Sequence, residues 1–194
     1  MIAVLDYGAG NLRSVQNSLD AVGASYELVH DADGLRRADK IMLPGVGHFG
    51  QMMGALDQLA VRETLKQRVT QGAPFLGVCL GLQALFETSA EAPEIAGLGI
   101  LRGRIERFPA TERVPHMGWN LVAAKAGSRL VRNAEHFYFA HSFFAPVVEA
   151  TSATCRYSCD FTAALEAGNI FGVQFHPEKS GPAGLDIIRR FAEL

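Results

Sequence analysis

Apolar residues follow two rhythms along this chain, and the change between them divides it near the middle. Residues 1–6 (MIAVLD) form a short apolar run closed by Gly8 and Gly10, which suits a buried strand feeding a helix. Leu12, Val15, Leu19 and Val22 then recur three or four apart, the spacing of an amphipathic helix, with Gly23 as its stop. A strand is expected at Tyr26–Val29, a polar loop around Asp31–Gly34, and another strand at Lys40–Leu43 that ends in Pro44-Gly45-Val46-Gly47. Val61, Leu65 and Val69 mark a helix closed by Gly72, Pro74–Val78 is a compact apolar strand, and Leu80–Phe86 has helical spacing.

Beyond residue 100 the helical rhythm gives way to strands. They are expected at Ile100–Phe108, Trp119–Ala123, Glu135–Phe143, Thr151–Tyr157 and Asn169–Phe175, joined by turns that favour antiparallel additions. Leu185, Ile188 and Phe191 return to helical spacing at the C-terminus. The fold class that follows is α/β: an open, mixed, mostly parallel sheet with helices on both faces. Sites in such sheets lie outside the carboxyl ends of the strands. The length of 194 residues fits one domain, 1–194.

Composition narrows the function classes. The chain is 48% hydrophobic and 20% charged, as in ordinary globular proteins, and its formal net charge of −2 offers no field for nucleic acid. Arg102, Arg104 and Arg107 read as a solvated face or a protein contact. With no signal peptide and no membrane span in the pattern, a cytoplasmic enzyme is expected. Three cysteines make a poor disulfide framework. Cys155 and Cys159 lack zinc-site spacing and read as small core or surface residues, so no metal is expected.

The remaining cysteine carries the strongest chemical signal. In Gly77-Val78-Cys79-Leu80-Gly81, Cys79 occupies the sharp turn between a strand and a helix, with glycines two residues either side, the logic of a nucleophile elbow. The helix N-terminus favours a thiolate, and the Leu80 N–H can face an oxyanion. Of six histidines, His176 follows the apolar run Phe171–Phe175 directly, so it too lies at a strand's carboxyl end. Pro177 is expected to hold the backbone extended, letting Glu178 reach the imidazole from two residues away. That carboxylate would fix the tautomer of a base serving Cys79. Val46 and Gly47 lie in a loop that is either an oxyanion loop or an ordinary tight turn.

With these loops in hand, the sequence resembles class I, triad-type glutamine amidotransferases, a family with a flavodoxin-like three-layer sandwich. D-Y-G-A-G-N-L at 6–12, L-P-G-V-G at 43–47, P-H-M-G-W-N at 115–120, F-Y-F-A-H-S at 137–142 and G-V-Q-F-H-P-E-K-S at 172–180 are together similar to the glutaminase subunits of imidazole glycerol phosphate synthases. The resemblance implies a catalytic Cys79–His176–Glu178 triad, oxyanion donors at Leu80 and in the Val46–Gly47 region, and glutamine contacts at Gly47, Gln83, Glu91, Ser142 and Phe143. It implies no cofactor. Its partner is a TIM-barrel cyclase subunit, bound as a heterodimer, that consumes the ammonia; P-H-M-G-W-N is similar to the interface-facing segment. It also implies weak glutaminase activity until the partner binds its ligand. Phe143 departs from the family's usual tyrosine, so a side-chain hydrogen bond is lost there while a backbone contact survives. Three other readings compete: a class I glutaminase serving another synthase, a silent binding subunit, and a general cysteine hydrolase.

Overall fold

The computed structural model describes residues 1–194. In chain order its elements are β1 (Ile2–Leu5), α1 (Leu12–Ala21), β2 (Tyr26–Val29), α2 (Ala32–Arg37), β3 (Lys40–Gly45), α3 (Phe49–Gln58), α4 (Arg62–Thr70), β4 (Phe75–Cys79), α5 (Leu80–Gln83), β5 (Thr88–Ser89), β6 (Arg104–Arg107), β7 (His116–Ala124), β8 (Glu135–His141), β9 (Phe143–Phe144), β10 (Thr151–Tyr157), β11 (Cys159–Ala167), β12 (Ile170–Val173) and α6 (Gly181–Glu193). Nine strands form one sheet in the order β2-β1-β3-β4-β12-β11-β10-β7-β8. The strands from β2 to β12 run parallel, and β11, β10, β7 and β8 extend them antiparallel. The mixed sheet expected from the sequence is therefore present, its parallel part built from four N-terminal strands and the late strand β12.

The period of two along each strand explains the layers. Ala3 and Leu5 of β1 and Ile41 and Leu43 of β3 pack with Leu35, Phe49, Leu56 and Leu65 from α2, α3 and α4. Their neighbours Ile2, Val4 and Met42 point to the opposite face, against Val15 and Leu19 of α1 and Ile187, Ile188 and Phe191 of α6. Both faces of β1, β3, β4 and β12 are covered, which is why those strands read as largely continuous apolar runs, while β2 at the sheet edge stays partly exposed. No helix is long and apolar enough to cross a membrane.

Four elements differ from the sequence reading. The polar loop at Asp31–Gly34 is the start of α2: the Asp31 carboxylate accepts from the Gly34 N–H at 2.7 Å, an N-cap that turn-forming residues conceal. The helix at Leu80–Phe86 stops after one turn at Gln83. Beyond it the Leu85 and Phe86 N–H groups donate only three residues back, to Leu82 and Gln83, so the turn tightens, and the carbonyls of Ala84, Leu85 and Phe86 accept from Leu98, from Ile100 and Leu101, and from Gly99. Those contacts also keep Ile100 and Leu101 out of the strand expected from residue 100, which spans only β6. The Glu135–Phe143 run breaks at Ser142, whose carbonyl accepts from Phe108. Three elements had no sequence signal strong enough to name them: α3, diluted by Gly50 and Gly54, the two-residue β5, and β11, buried on both faces through Phe161–Leu165.

Candidate active site

β4 ends in a bend that no ordinary residue prefers. Cys79 has φ 53° and ψ −106°, a conformation costing an L-residue about 1–3 kcal/mol. The chain reverses so closely there that Gly77 and Gly81 leave no room for side chains. A Cβ on Gly77 would lie 2.4 Å from the Gly81 carbonyl oxygen, and one on Gly81 would lie 1.9 Å from the Leu43 carbonyl oxygen. The glycines flanking Cys79 are thus dictated by backbone contact, and the thiol is thrust out at the carboxyl end of the sheet. The helix that follows is a single turn, so its dipole contributes less to the thiol than the sequence suggested.

β12 lies beside β4 in the sheet and delivers the imidazole to the same place. After Val173 the chain leaves the strand, and the His176 N–H donates to the Tyr138 carbonyl of β8. Pro177 does not keep the backbone extended. It opens a turn of 3-10 helix, Pro177–Lys179, because its fixed φ suits the first helical position. That turn, rather than an extended chain, brings Glu178 back onto His176. Nδ1 of His176 lies 2.8 Å from Glu178 Oε1, and both side chains are only 4% exposed. A carboxylate accepts, so Nδ1 carries a proton, and Nε2 is the nitrogen left to face the Cys79 sulfur, which acts on the ring.

The electrostatics follow from these contacts. Burial alone would push the His176 pKa down, but the Cys79 sulfur and the Glu178 carboxylate outweigh it and raise the pKa from 6.5 to about 10. Glu178 Oε2 is buried without a hydrogen-bond partner, so the carboxylate depends on His176 for its compensation. A pKa raised in the folded state adds stability that is fully present below the unfolded value and disappears as pH rises through the folded one. Stability is therefore expected to fall between pH 6.5 and about 10. In Glu178→Gln the fall should be smaller and end at lower pH, because the folded-state pKa loses the contribution of the carboxylate while the unfolded one is unchanged. Urea midpoints across this range check it, and superimposable profiles would show that the two residues are not coupled.

Val46, Gly47, Cys79, Leu80, Gln83, Glu91, Ser142, Phe143 and His176 all border one cavity of about 180 Å³. Glu178 stands behind His176. Glu91 reaches the cavity from the N-terminus of α3, where its Oε2 accepts from the Phe49 N–H at 2.7 Å. The Val46 N–H donates to the Tyr7 hydroxyl at 3.3 Å. Burial chiefly raises the Tyr7 pKa to about 12, so that hydroxyl keeps its proton. A neutral phenol, a carboxylate and a carboxamide around a thiol suit a small polar amide better than an apolar ligand.

Residues at the site escaped sequence reasoning, Gln174, Tyr7 and His141 among them. Gln174, fully buried, donates from Nε2 to Cys79 Sγ at 3.6 Å, while its Oε1 accepts from Gln83 Nε2 at 3.1 Å. A lone polar residue in the apolar run before His176 was the available signal. Tyr7 had none beyond its place after β1. The P-H-M-G-W-N segment, which could have been a core turn, is strand β7. Met117, Trp119 and Leu121 alternate onto its outer face and are 65%, 57% and 47% exposed. Arg102, Arg104 and Arg107 are exposed, Cys155 is buried and Cys159 half-buried.

Comparison with known proteins places this geometry in context. The family model described as glutamine amidotransferase class-I matches residues 3–194. The chain is 47% identical to the imidazole glycerol phosphate synthase subunit HisH of Methanothermobacter thermautotrophicus, covering 100% of this chain and 98% of that one. It is 42% identical to the protein of the same name from Thermus thermophilus, covering 98% of both. It is 40% identical to the chloroplastic imidazole glycerol phosphate synthase hisHF of Arabidopsis thaliana, where the match spans 98% of this chain and 34% of that longer protein. Among solved structures, a glutamine amidotransferase superposes with a TM-score of 0.79 at 21% identity, covering 99% of this chain and 97% of that one.

Proposed function

The chain belongs to the class-I glutamine amidotransferase family, and we propose from that premise that it is the glutaminase subunit of an imidazole glycerol phosphate synthase. It hydrolyses glutamine to glutamate and ammonia, and the ammonia passes to a cyclase partner. The observation that carries the reading is the shared cavity at the ends of β4 and β12, where a strained cysteine meets a histidine already held by a buried carboxylate.

In this mechanism the thiol proton has already passed to His176 Nε2, as the raised pKa of that ring requires, and the Cys79 thiolate attacks the carboxamide carbon of glutamine. Glu178 holds the imidazole in the required tautomer and stabilises its cation. As the tetrahedral intermediate collapses, the C–N bond breaks and His176 returns the proton to the departing ammonia. Water then attacks the glutamyl thioester, with His176 as base, and releases glutamate. The negative oxygen that forms twice along this route is received by the N–H of Leu80 and by the Val46–Gly47 segment. Gly47, Gln83, Glu91, Ser142 and Phe143 hold the substrate. The carboxylate of Glu91 is suited to the substrate's ammonium group.

The partner's place is supported by where the cavity opens. Pro115 and Met117 border it, so ammonia emerges beside the apolar stripe of Met117, Trp119 and Leu121. Three large apolar side chains in a row on an outer sheet face suit a protein contact. The hydrogen bond to Tyr7 gives a physical reason for weak activity without the partner: the Val46 N–H already has an acceptor and is not free for the oxyanion. Tyr7→Phe removes that acceptor. Its partner-free glutamine turnover is expected to rise up to about fivefold, the weight of one neutral hydrogen bond, while turnover in the ligand-bound complex changes little. An unchanged or lower partner-free rate would contradict this gating.

The experiment that tests the function as a whole follows glutamate and imidazole glycerol phosphate together, with and without a purified cyclase subunit. Glutamine-dependent product formation in equal amounts with glutamate is expected. Glutamate formation uncoupled from the cyclase under all conditions would point to a glutaminase serving another synthase, and no glutamate at all to a silent subunit.

A further inference from the structure

We propose that His116 and His141 are positioning residues: a one-way chain of hydrogen bonds, entering from Asn120 on β7 and passing through both imidazoles, fixes the Phe143 carbonyl and so holds the Ser142–Phe143 wall of the glutamine cavity. The proposal rests on the glutaminase reading for its consequence, and on the hydrogen-bond pattern for its geometry.

The direction of the chain is set at its inner end. The Phe143 carbonyl can only accept, and it faces His141 Nδ1 and Gln83 Nε2, each at 2.8 Å. His141 therefore carries its proton on Nδ1. A neutral ring then has an acceptor at Nε2, which lies 3.1 Å from His116 Nδ1, so that atom is the donor. His116 Nε2 is left to accept from Asn120 Nδ2 at 3.2 Å. The Asn120 amide cannot be turned round, because its Oδ1 accepts from the Leu121 N–H at 2.8 Å and its Nδ2 also donates to the Arg156 carbonyl. One assignment satisfies every partner. Reversing either ring would set two donors or two acceptors face to face in a buried space.

The surroundings keep both rings neutral and still. Burial lowers the pKa of His141 to about 3 and that of His116 to about 4. His116 is sandwiched between Phe139, 4.8 Å away and tilted by 26°, and Tyr157, 4.1 Å away and tilted by 21°. His141 borders the cavity, yet both of its nitrogens are engaged, so it is not a second base there. What the chain delivers is a carbonyl held from two sides. Gln83, the other donor to that carbonyl, gives its second N–H to Gln174, which in turn faces the Cys79 sulfur. Strand β7 thus carries the exposed apolar stripe on one face and the head of this chain, at Asn120, on the other.

The test uses a glutamine-analogue electrophile that alkylates Cys79, read as an apparent binding constant and a limiting rate, beside iodoacetamide as an untargeted thiol reagent. His141→Phe keeps the aromatic packing and loses both hydrogen bonds; His116→Phe interrupts the chain one step earlier. Each is expected to weaken binding of the analogue about five- to tenfold, the loss that one neutral hydrogen bond carries, with the iodoacetamide rate within about twofold of the unaltered chain. The double variant should lose no more than His141→Phe alone, because the two residues act as one chain. His141→Gln, which can donate and accept in the same direction, should restore binding. Unchanged binding in the single variants, or losses that add in the double, would overturn the proposal. Should a phenylalanine variant fail to fold, nitrogen-15 spectra of the unaltered chain decide: both rings neutral with the proton on Nδ1 supports the relay, and an Nε2–H tautomer in either overturns it. Failure of the unaltered chain to react with the analogue overturns the glutaminase reading, and the functional half of this proposal with it, separately from the tautomers.

Discussion

Replacing Cys79 by alanine is expected to lower glutamine hydrolysis by roughly 10⁴- to 10⁶-fold in the partner-bound enzyme, the range over which loss of a nucleophile costs an enzyme that acts through a triad. Binding and the oxyanion donors remain, so glutamine should still bind. The position makes a second statement about stability. With φ 53° and ψ −106°, Cys79 holds a conformation that costs about 1–3 kcal/mol for any residue with a side chain. Cys79→Ala keeps that strain. Cys79→Gly relieves it, less about 0.4–1 kcal/mol for the greater freedom of glycine in the unfolded chain. The glycine variant should therefore be equally inactive and about 1 kcal/mol more stable than the alanine variant, since the two differ by one methyl group whose main effect at this φ is on backbone strain. Urea denaturation of the pair measures this. A glycine variant no more stable than the alanine one would mean that the elbow is not strained, and an active alanine variant would remove Cys79 from the chemistry.

The second large effect is expected at Gly81. A Cβ there meets the Leu43 carbonyl oxygen at 1.9 Å, where real Cβ contacts essentially never fall under 3.0 Å, and the obstacle is backbone that no rotamer change can clear. Gly81→Ala must push α5 away from β3. Overpacking of this kind costs about 3 kcal/mol or more. Cys79 lies two residues upstream on the same turn, so a displacement of about 1 Å would also cost roughly 10²-fold in rate. Gly54 supplies the contrast. It sits inside α3 with nothing within 4 Å of a built Cβ, so Gly54→Ala should stabilise by about 0.5–1 kcal/mol through helix propensity and unfolded-state entropy. Opposite signs from one chemical change would show that close approach, not glycine content, governs the elbow. Equal effects would contradict it.

Much of this architecture was legible from spacing because the strands are short runs set off by turn residues, and β1, β3, β4 and β12 are buried on both faces. Tyr26–Val29 and Thr151–Tyr157 match the observed strands residue for residue. What was not legible depended on contacts distant in sequence. The course of the chain after α5 is tied to the amides of Leu98–Leu101, which bond the carbonyls of Ala84–Phe86 from a segment the local spacing does not announce. The local route from His176 to Glu178 was misjudged because Pro177 suits both an extended chain and the first turn of a helix, and local sequence does not choose between them. Cys79, His176, Glu178 and the Val46–Gly47 loop were legible because they come as short motifs at strand ends, where an α/β sheet gathers its loops, whereas Gln83, Glu91, Ser142 and Phe143 came only through the family resemblance. Gln174, His116 and His141 were not legible. Their arrangement exists only after β7 and β8 pair and β12 lies beside β4, bringing together positions tens of residues apart.

The central claim is that Cys79 is the atom that attacks glutamine. Peptide mapping after exposure to the glutamine-analogue electrophile, with and without excess glutamine, tests it most directly. The account predicts a single adduct at Cys79 that glutamine suppresses. An adduct at Cys155 or Cys159, or one at Cys79 that glutamine leaves untouched, would contradict it.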